Sequence, residues 1–203
     1  TSSLLGTSVA AWNYFRHVVV ERRIVLPALV AALASSAIGV QFAKRIEPEV
    51  LKLLVLAVCV VLAVYTVLRK DLGTREDRRF SPRREAWAAA AVGATCGFYN
   101  GLIGPGTGTL LVFAFVSVIG LDFLKSSAVS KSTNVAADLS SWAVLAFAGF
   151  VQWSLAVPLV IGNMLGSFIG SRLAIRQGDR FIRALFLAVV LALVARLAWD
   201  LLA

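Results

Sequence analysis

The chain has 203 residues, 59% of them hydrophobic and 15% charged, with a mean hydropathy of +0.84. This balance excludes a soluble domain with a charged shell, and the long runs that are apolar on every face exclude a barrel of short alternating strands. The net charge of +9 comes from basic residues at segment ends rather than on one soluble face, so it marks topology and not nucleic-acid binding.

The pattern predicts an all-α, polytopic transmembrane helical bundle. In chain order, apolar segments cover residues 3–15, 24–43 and 50–68, with a basic turn from Arg16 to Arg23 after the first. Residues 1–68 thus form a unit of about three helices. Residues 69–85 form a linker carrying Arg69, Lys70, Arg75, Arg78, Arg79, Arg83 and Arg84, expected to lie fully in water. An apolar segment at 86–103, a Gly/Pro break at 104–108 and a short apolar segment at 109–119 come next, then a polar stretch at 122–132. Segments at 133–151, 155–175 and 181–202 complete a second unit, residues 86–203, a broken helix pair plus three helices.

The two units are related. A shift of 131 positions lays Pro27 on Pro158, Gly39 on Gly170, Arg45 on Arg176 and Lys52 on Arg183 without a gap. The same shift lays Ala31, Ser35 and Gly39 on Gly162, Gly166 and Gly170, small residues at every fourth position, which is how membrane helices pack closely. Repeats of this kind are typical of secondary transporters, in which related bundles enclose a site. On this logic the first unit is truncated at its N-terminus, and a complete two-copy protein would carry roughly 45 to 50 residues before Thr1.

Basic residues in short loops are retained on the cytoplasmic side. This rule places the 69–85 linker, the Arg16 to Arg23 turn, Lys125 and Lys131, and the Arg172 to Arg183 region on one side. They all fall there only if each unit makes an odd number of crossings, so the two copies are expected to be inverted. The 109–119 segment reaches only about 20 Å, short of a hydrocarbon core of about 30 Å, which favours a re-entrant pair with 86–103.

The stretch Gly97-Phe98-Tyr99-Asn100-Gly101-Leu102-Ile103-Gly104-Pro105-Gly106-Thr107-Gly108-Thr109 carries the most chemical information. Its glycines and proline cannot continue a helix, and unwound backbone at membrane depth is tolerated only when buried in protein or lining a wet cavity. A helix starting just after the break would aim its amide N–H groups at the gap and attract an anion, with Thr107 and Thr109 adding hydroxyl donors. A plain interhelical loop is the blander alternative.

The second feature runs from Lys131 through Thr133 and Asn134 to Asp138, with Lys131, Asn134 and Asp138 on one helix face. An ionisable residue inside a span is a candidate for function, whereas an Asp138 paired with Lys131 near the interface would be structural. Ser2, Ser3 and Thr7 occupy the repeat-related places. Cys59 and Cys96 read as small buried hydrophobes, and His17 alone makes no metal site. Trp12, Trp87, Trp142, Trp153 and Trp199 read as interfacial anchors. No catalytic set, zinc spacing or phosphate loop is present, so no enzyme activity and no cofactor is expected.

Over nearly its whole length the chain resembles the sulfite exporter TauE/SafE family, also called the toluene-sulfonate uptake permease family. The string GFYNGLIGPGTGTLL is similar to that family's second-repeat signature, and Lys131 and Asn134 match its Lys-x-x-Asn element. The resemblance implies transport of small sulfur-containing anions, such as sulfite or organosulfonates, across the inner membrane of bacteria. Two positions depart from the pattern: Asn100 stands where the family often has Asp, and Asp138 where Asn is common. The residues expected to bind substrate are Tyr99, Asn100, Gly101, Gly104, Gly106, Thr107, Gly108, Thr109, Lys131, Thr133, Asn134 and Asp138, with Ser2 and Ser3. The expected partners are a small anion, membrane lipid and, as an open case, further copies in a homo-oligomer. A non-transporting scaffold that binds lipid or a partner through the linker is the alternative.

Overall fold

The computed structural model describes residues 2–43, 45–46, 50, 53–54, 56–58, 60–61, 73, 76–104, 106–148 and 153–202, and side chains within them except at 2, 153–157, 190, 193–194 and 196–202. The described residues are helical apart from connections, with no strand. The elements are α1 (Ser2–His17), α2 (Arg22–Ala43), α3 (Pro82–Leu102), α4 (Thr107–Ala114), a π-helical turn (Phe115–Ile119), α5 (Phe123–Phe147), α6 (Trp153–Gln177) and α7 (Asp179–Leu202). The predicted 50–68 segment lies largely outside the described residues; those described within 50–61 are helical. Helix α2 and residues Pro158–Gln177 of α6 are long and apolar enough to cross a membrane, with mean hydropathies of 1.9 and 1.3.

The closest packing joins α2 to α3. Along α3, Gly93, Gly97 and Gly101 recur at every fourth position and bring its backbone onto α2. A Cβ at Gly93 would collide with the Ala28 carbonyl oxygen, one at Gly97 would stand 2.5 Å from the Ala32 Cα, and one at Gly101 would collide with the Ser36 carbonyl oxygen. The buried face of α2 is therefore Ala28, Ala32, Ser36 and Gly39, with Ala31 and Ser35 half-buried beside it rather than at its centre. The other predicted small stripe, Gly162, Gly166 and Gly170 on α6, is open: no described atom lies within 4 Å of a Cβ placed there.

Helix α5 starts ten residues earlier than the polar 122–132 stretch suggests. The Asp122 carboxylate caps it by accepting the Lys125 backbone N–H at 2.6 Å, and Ser126, Ser127, Ser130 and Ser132 are buried between helices instead of facing water. Ser132 returns its hydroxyl to the Ala128 carbonyl oxygen (3.0 Å), which lets a helix carry serines through an apolar layer. Helix α1 packs on α6, where Asn13 Nδ2 donates to Ser171 Oγ (2.9 Å), and α2 packs on α5, where Ser36 Oγ donates to the Ala137 carbonyl oxygen (2.9 Å).

Helices α3 and α4 go out and back. The π turn ends at Gly120 (φ 86°), whose carbonyl oxygen accepts the Asp77 N–H at 2.7 Å just before α3 begins. The returning limb spans Thr107–Ile119, short of a full crossing, as its length predicts.

Most of the described linker residues are exposed, with Gly73 and Glu85 buried among them. Glu85 is only 2% exposed. It accepts from Arg78 (3.2 Å) and stands 3.5 Å from an Arg23 nitrogen. Arg78 also pairs with Glu21 (2.9 Å) and Glu76, and Glu76 pairs with Lys125. On the same end of the bundle, Asp179 accepts the Leu124 N–H at 2.8 Å. Arg23, Arg78 and Lys125 are thus held together at one end by Glu21, Glu76 and Glu85. Burial pushes the Glu76 carboxyl up, but the Lys125 and Arg78 hydrogen bonds and charges outweigh it and hold it below its ordinary 4.5.

Two stability outcomes follow from this packing. Gly→Ala adds about 1 kcal/mol of helix propensity at either site, yet Gly93→Ala must displace α2 at a net cost of about 2 kcal/mol, while Gly162→Ala is neutral or stabilising; thermal unfolding in detergent reads the difference. Because Glu76 has a depressed folded-state value, its contribution is complete above its ordinary titration range and fades as pH falls through the lower folded value. Glu76→Gln should therefore lower the melting temperature at neutral pH and narrow its gap to the unmodified protein in acid.

Candidate functional site

The end of α3, the start of α4, the middle of α5 and parts of α1 and α6 enclose a cavity of about 660 Å³. Helix α5 supplies its main polar face. Lys131, Asn134, Asp138 and Trp142 fall on one stripe at i, i+3, i+7 and i+11, and all four line the space.

The Asp138 carboxylate accepts from three helices. Ser3 Oγ of α1 donates to Oδ2 at 2.7 Å, Asn100 Nδ2 of α3 to Oδ1 at 3.1 Å, and Asn134 Nδ2 of α5 to Oδ2 at 3.3 Å. It forms no ion pair with Lys131, so the structural Lys–Asp pairing considered from the sequence is absent. The Lys131 ammonium makes no hydrogen bond or ion pair with any described residue. It lies 4.0 Å from where a Cβ on Gly108 would stand, beside the N-terminus of α4.

The break itself is built by left-handed glycines. Gly104 and Gly106 both have φ 85°, which L side chains rarely adopt, and Gly106 precedes the first turn of α4. Thr107 and Thr109 stabilise this shape rather than offering free donors: Thr107 Oγ1 donates to the Gly104 carbonyl oxygen (2.7 Å) and Thr109 Oγ1 to that of Gly106 (2.6 Å). The hydroxyl donors expected for a ligand are already committed to the turn.

Ser3, Asn100, Gly101, Gly104, Gly106, Thr107, Gly108, Lys131, Asn134 and Asp138 meet at this cavity. Thr109 faces a second, more apolar cavity of about 580 Å³ among α1, α4, α6 and α7, which Gly106, Gly108 and Lys131 also border. Thr133 is buried and donates to the Val129 carbonyl oxygen at 2.9 Å, inside α5 and away from both spaces. Tyr99 is buried behind the break, its hydroxyl 3.6 Å from where a Cβ on Gly106 would be. The Ser2 side chain is outside the described ones.

Four further lining residues escaped the sequence reading. Trp142, read as an interfacial anchor, lines the cavity with its indole N–H buried and without a partner among the described residues, unlike the exposed Trp12 and Trp87. Ser141 beside it contacts Ser36 at 2.6 Å. Asn163 and Ser167 lie one helical turn apart on α6, a polar pair inside an apolar segment, and that spacing was the available signal. Cys96 is buried as expected, and Cys59 lies outside the described residues.

Long apolar helices, a broken helix pair and a polar cavity at the break fit a helical membrane bundle of transporter type. The chain belongs to the sulfite exporter TauE/SafE family, whose model matches residues 1–197. It is similar to the probable membrane transporter protein ORF9 of a Sinorhizobium species, 29% identical over 97% of this chain and 75% of that protein. It is also similar to the probable membrane transporter protein YfcA of Escherichia coli K12, 28% identical over 96% and 72%. A probable membrane transporter protein of Haemophilus influenzae is 26% identical over 97% and 76%. No solved structure matches. By family the chain is a membrane transporter.

The two threonine bonds can be tested directly. Thr107→Val keeps the shape of the side chain and removes its bond to Gly104, which should cost about 1 kcal/mol and lower the melting temperature in detergent by a few degrees.

Proposed function

We propose that this protein is a secondary transporter, a permease or exporter, for small sulfur-containing anions such as sulfite or organosulfonates, in the inner membrane of a bacterium. The observation that carries the reading is the Lys131 ammonium, without a hydrogen-bond or ion-pair partner among the described residues, standing in the cavity beside the N-terminus of α4. A cation and a helix N-terminus facing one space attract an oxyanion from both sides. The family description names sulfite export, and the matched relatives are bacterial.

The same proposal includes two inverted copies around the site. It is supported by an exchange of partners: α1 packs on α6 and α2 on α5, so the repeat-related helices α1 and α5 each meet the helix that follows the other. Repeat-related positions also face one another, since Ser3, the counterpart of Asn134, bonds to Asp138. Of the linker arginines, Arg78 is engaged with three glutamates and Arg79 with the Ser117 carbonyl oxygen, while Arg83 and Arg84 are exposed.

Uptake or efflux of labelled sulfite and methanesulfonate by vesicles bearing the protein tests the reading. Lys131→Gln should lower flux about tenfold or more, as expected for losing a charge-assisted contact, and Gly106→Leu should abolish it by forcing a side chain into the φ 85° position. Lys125→Gln, at the basic end, serves as the control. Flux that is unchanged in both site variants would sink the assignment.

A further inference from the structure

The basic end of the bundle holds two kinds of cation. Arg23, Arg78 and Lys125 are paired with Glu21, Glu76 and Glu85. Arg16, at the end of α1, and Arg172, near the end of α6, are exposed and make no ion pair or hydrogen bond with any described residue. Neither α1 nor α6 contains an Asp or Glu, and Asp179, the carboxylate that follows α6, accepts the Leu124 N–H.

Each of these two arginines lies over an aromatic ring instead. The Arg16 guanidinium carbon is 6.0 Å from the ring centroid of Trp12, and that of Arg172 is 4.2 Å from the ring centroid of Phe168. Both rings are themselves exposed, at 66% and 39%. A ring attracts the cation as a charge and offers no lone pair, so each guanidinium keeps its N–H donors for another partner.

The two stacks stand side by side. Asn13 and Ser171 bond to each other at 2.9 Å and so mark where α1 and α6 face one another. Two turns earlier Gly6 meets Asn163, where an added Cβ would collide, and the order of the two contacts makes the helices parallel. Counted from Asn13, Trp12 and Arg16 lie about 100° and about 60° backward around α1; counted from Ser171, Phe168 and Arg172 lie about 60° and about 100° forward around α6. In parallel helices these two directions open on the same side of the pair. Along the axis Arg16 and Arg172 stand within about 3 Å of one height, as do Trp12 and Phe168 one turn away. The exposed Leu5 and Val19 of α1 and Ile161 and Leu165 of α6 continue this side, which makes it a surface turned to lipid.

We propose that Arg16 and Arg172 form a binding site for the phosphodiester headgroup of an anionic phospholipid, seated at the groove between α1 and α6 in the leaflet at the basic end. Phosphate oxygens match the planar fork of a guanidinium, and two such forks face the groove from its two walls. The rings of Trp12 and Phe168, one turn deeper, meet the glycerol and the first methylenes of the lipid. Anionic lipid concentrates in the cytoplasmic leaflet, the side on which basic loops are retained. Free inorganic phosphate offers the same oxygens but no chains to lie on the apolar surface below.

Native mass spectrometry of the purified full chain in detergent, titrated with phosphatidylglycerol or phosphatidylcholine, tests the site. Phosphatidylcholine carries the same phosphodiester with a cation of its own, so the unmodified protein should retain phosphatidylglycerol about tenfold more tightly. Arg16→Gln and Arg172→Gln should each weaken phosphatidylglycerol about tenfold, and the double substitution should erase the preference between the two lipids. Arg84→Gln, which removes an exposed charge at the same end, should leave the preference intact. Phosphatidylglycerol should also raise the melting temperature of the unmodified protein and not that of the double variant, whose melting without lipid verifies its fold.

Equal retention of both lipids by the unmodified protein, a preference that survives the double substitution, or an equal loss in Arg84→Gln would overturn the site. Displacement of the lipid by excess inorganic phosphate would overturn it in favour of a free-anion site. A dimer that disappears in the double variant would overturn it in favour of a contact between two copies of the chain.

Discussion

Everything at the site depends on how closely α3 approaches α2. Ordinary side chains hold helix axes about 8–10 Å apart, whereas Gly93, Gly97 and Gly101 let the α3 backbone rest on Ala28, Ala32 and Ser36. In lipid there is no hydrophobic gain from bringing two apolar helices together, so this contact relies on dispersion and close backbone approach. The next residues after this stripe are the break. Its position relative to α5 is therefore set by an interaction that a single methyl group would disturb, and the hydrogen bond from Asn100, at the end of the stripe, to Asp138 follows from the same registration.

The bundle is closed at its basic end by different forces. Glu85 is buried at the start of α3 with Arg78 against it, and Arg78 reaches on to Glu21 at the α1–α2 turn and to Glu76. The Asp77–Gly120 backbone bond ties the returning limb to the same place. The out-and-back hairpin is thus fixed at its base by ion pairs and main-chain bonding, and its tip is held by α2 packing. The mostly exposed linker also works as a clamp, because Glu76 and Glu85 partner Arg78, Arg23 and Lys125.

Much of this was legible in the sequence, and the failures have physical causes. The Gly/Pro break, the short returning limb and the shared face of Lys131, Asn134 and Asp138 follow from backbone sterics and helical periodicity, which act locally. The start of α5 was misplaced because serine reads as polar in isolation, while in a helix it can satisfy itself on the preceding turn, as Ser132 and Thr133 do. The packing face of α2 was displaced because small residues at 28, 31, 32, 35, 36 and 39 satisfy several four-residue registers, and only the partner helix decides among them. Trp142 was read as an anchor because a tryptophan near a segment end usually is one; its direction depends on which side of α5 the break approaches.

The threonine bonds at the break have an effect on ion sorting. Each turn carbonyl has two lone pairs, and at Gly104 both are taken, by the Thr107 hydroxyl and the Thr107 N–H. At Gly106 they are taken by the Thr109 hydroxyl and the Leu110 N–H. Unwound backbone usually displays oxygen as readily as nitrogen, and so welcomes cations as well as anions. Here the Gly104 and Gly106 oxygens are spent on the turn, so at these two residues the wall favours negative charge over positive.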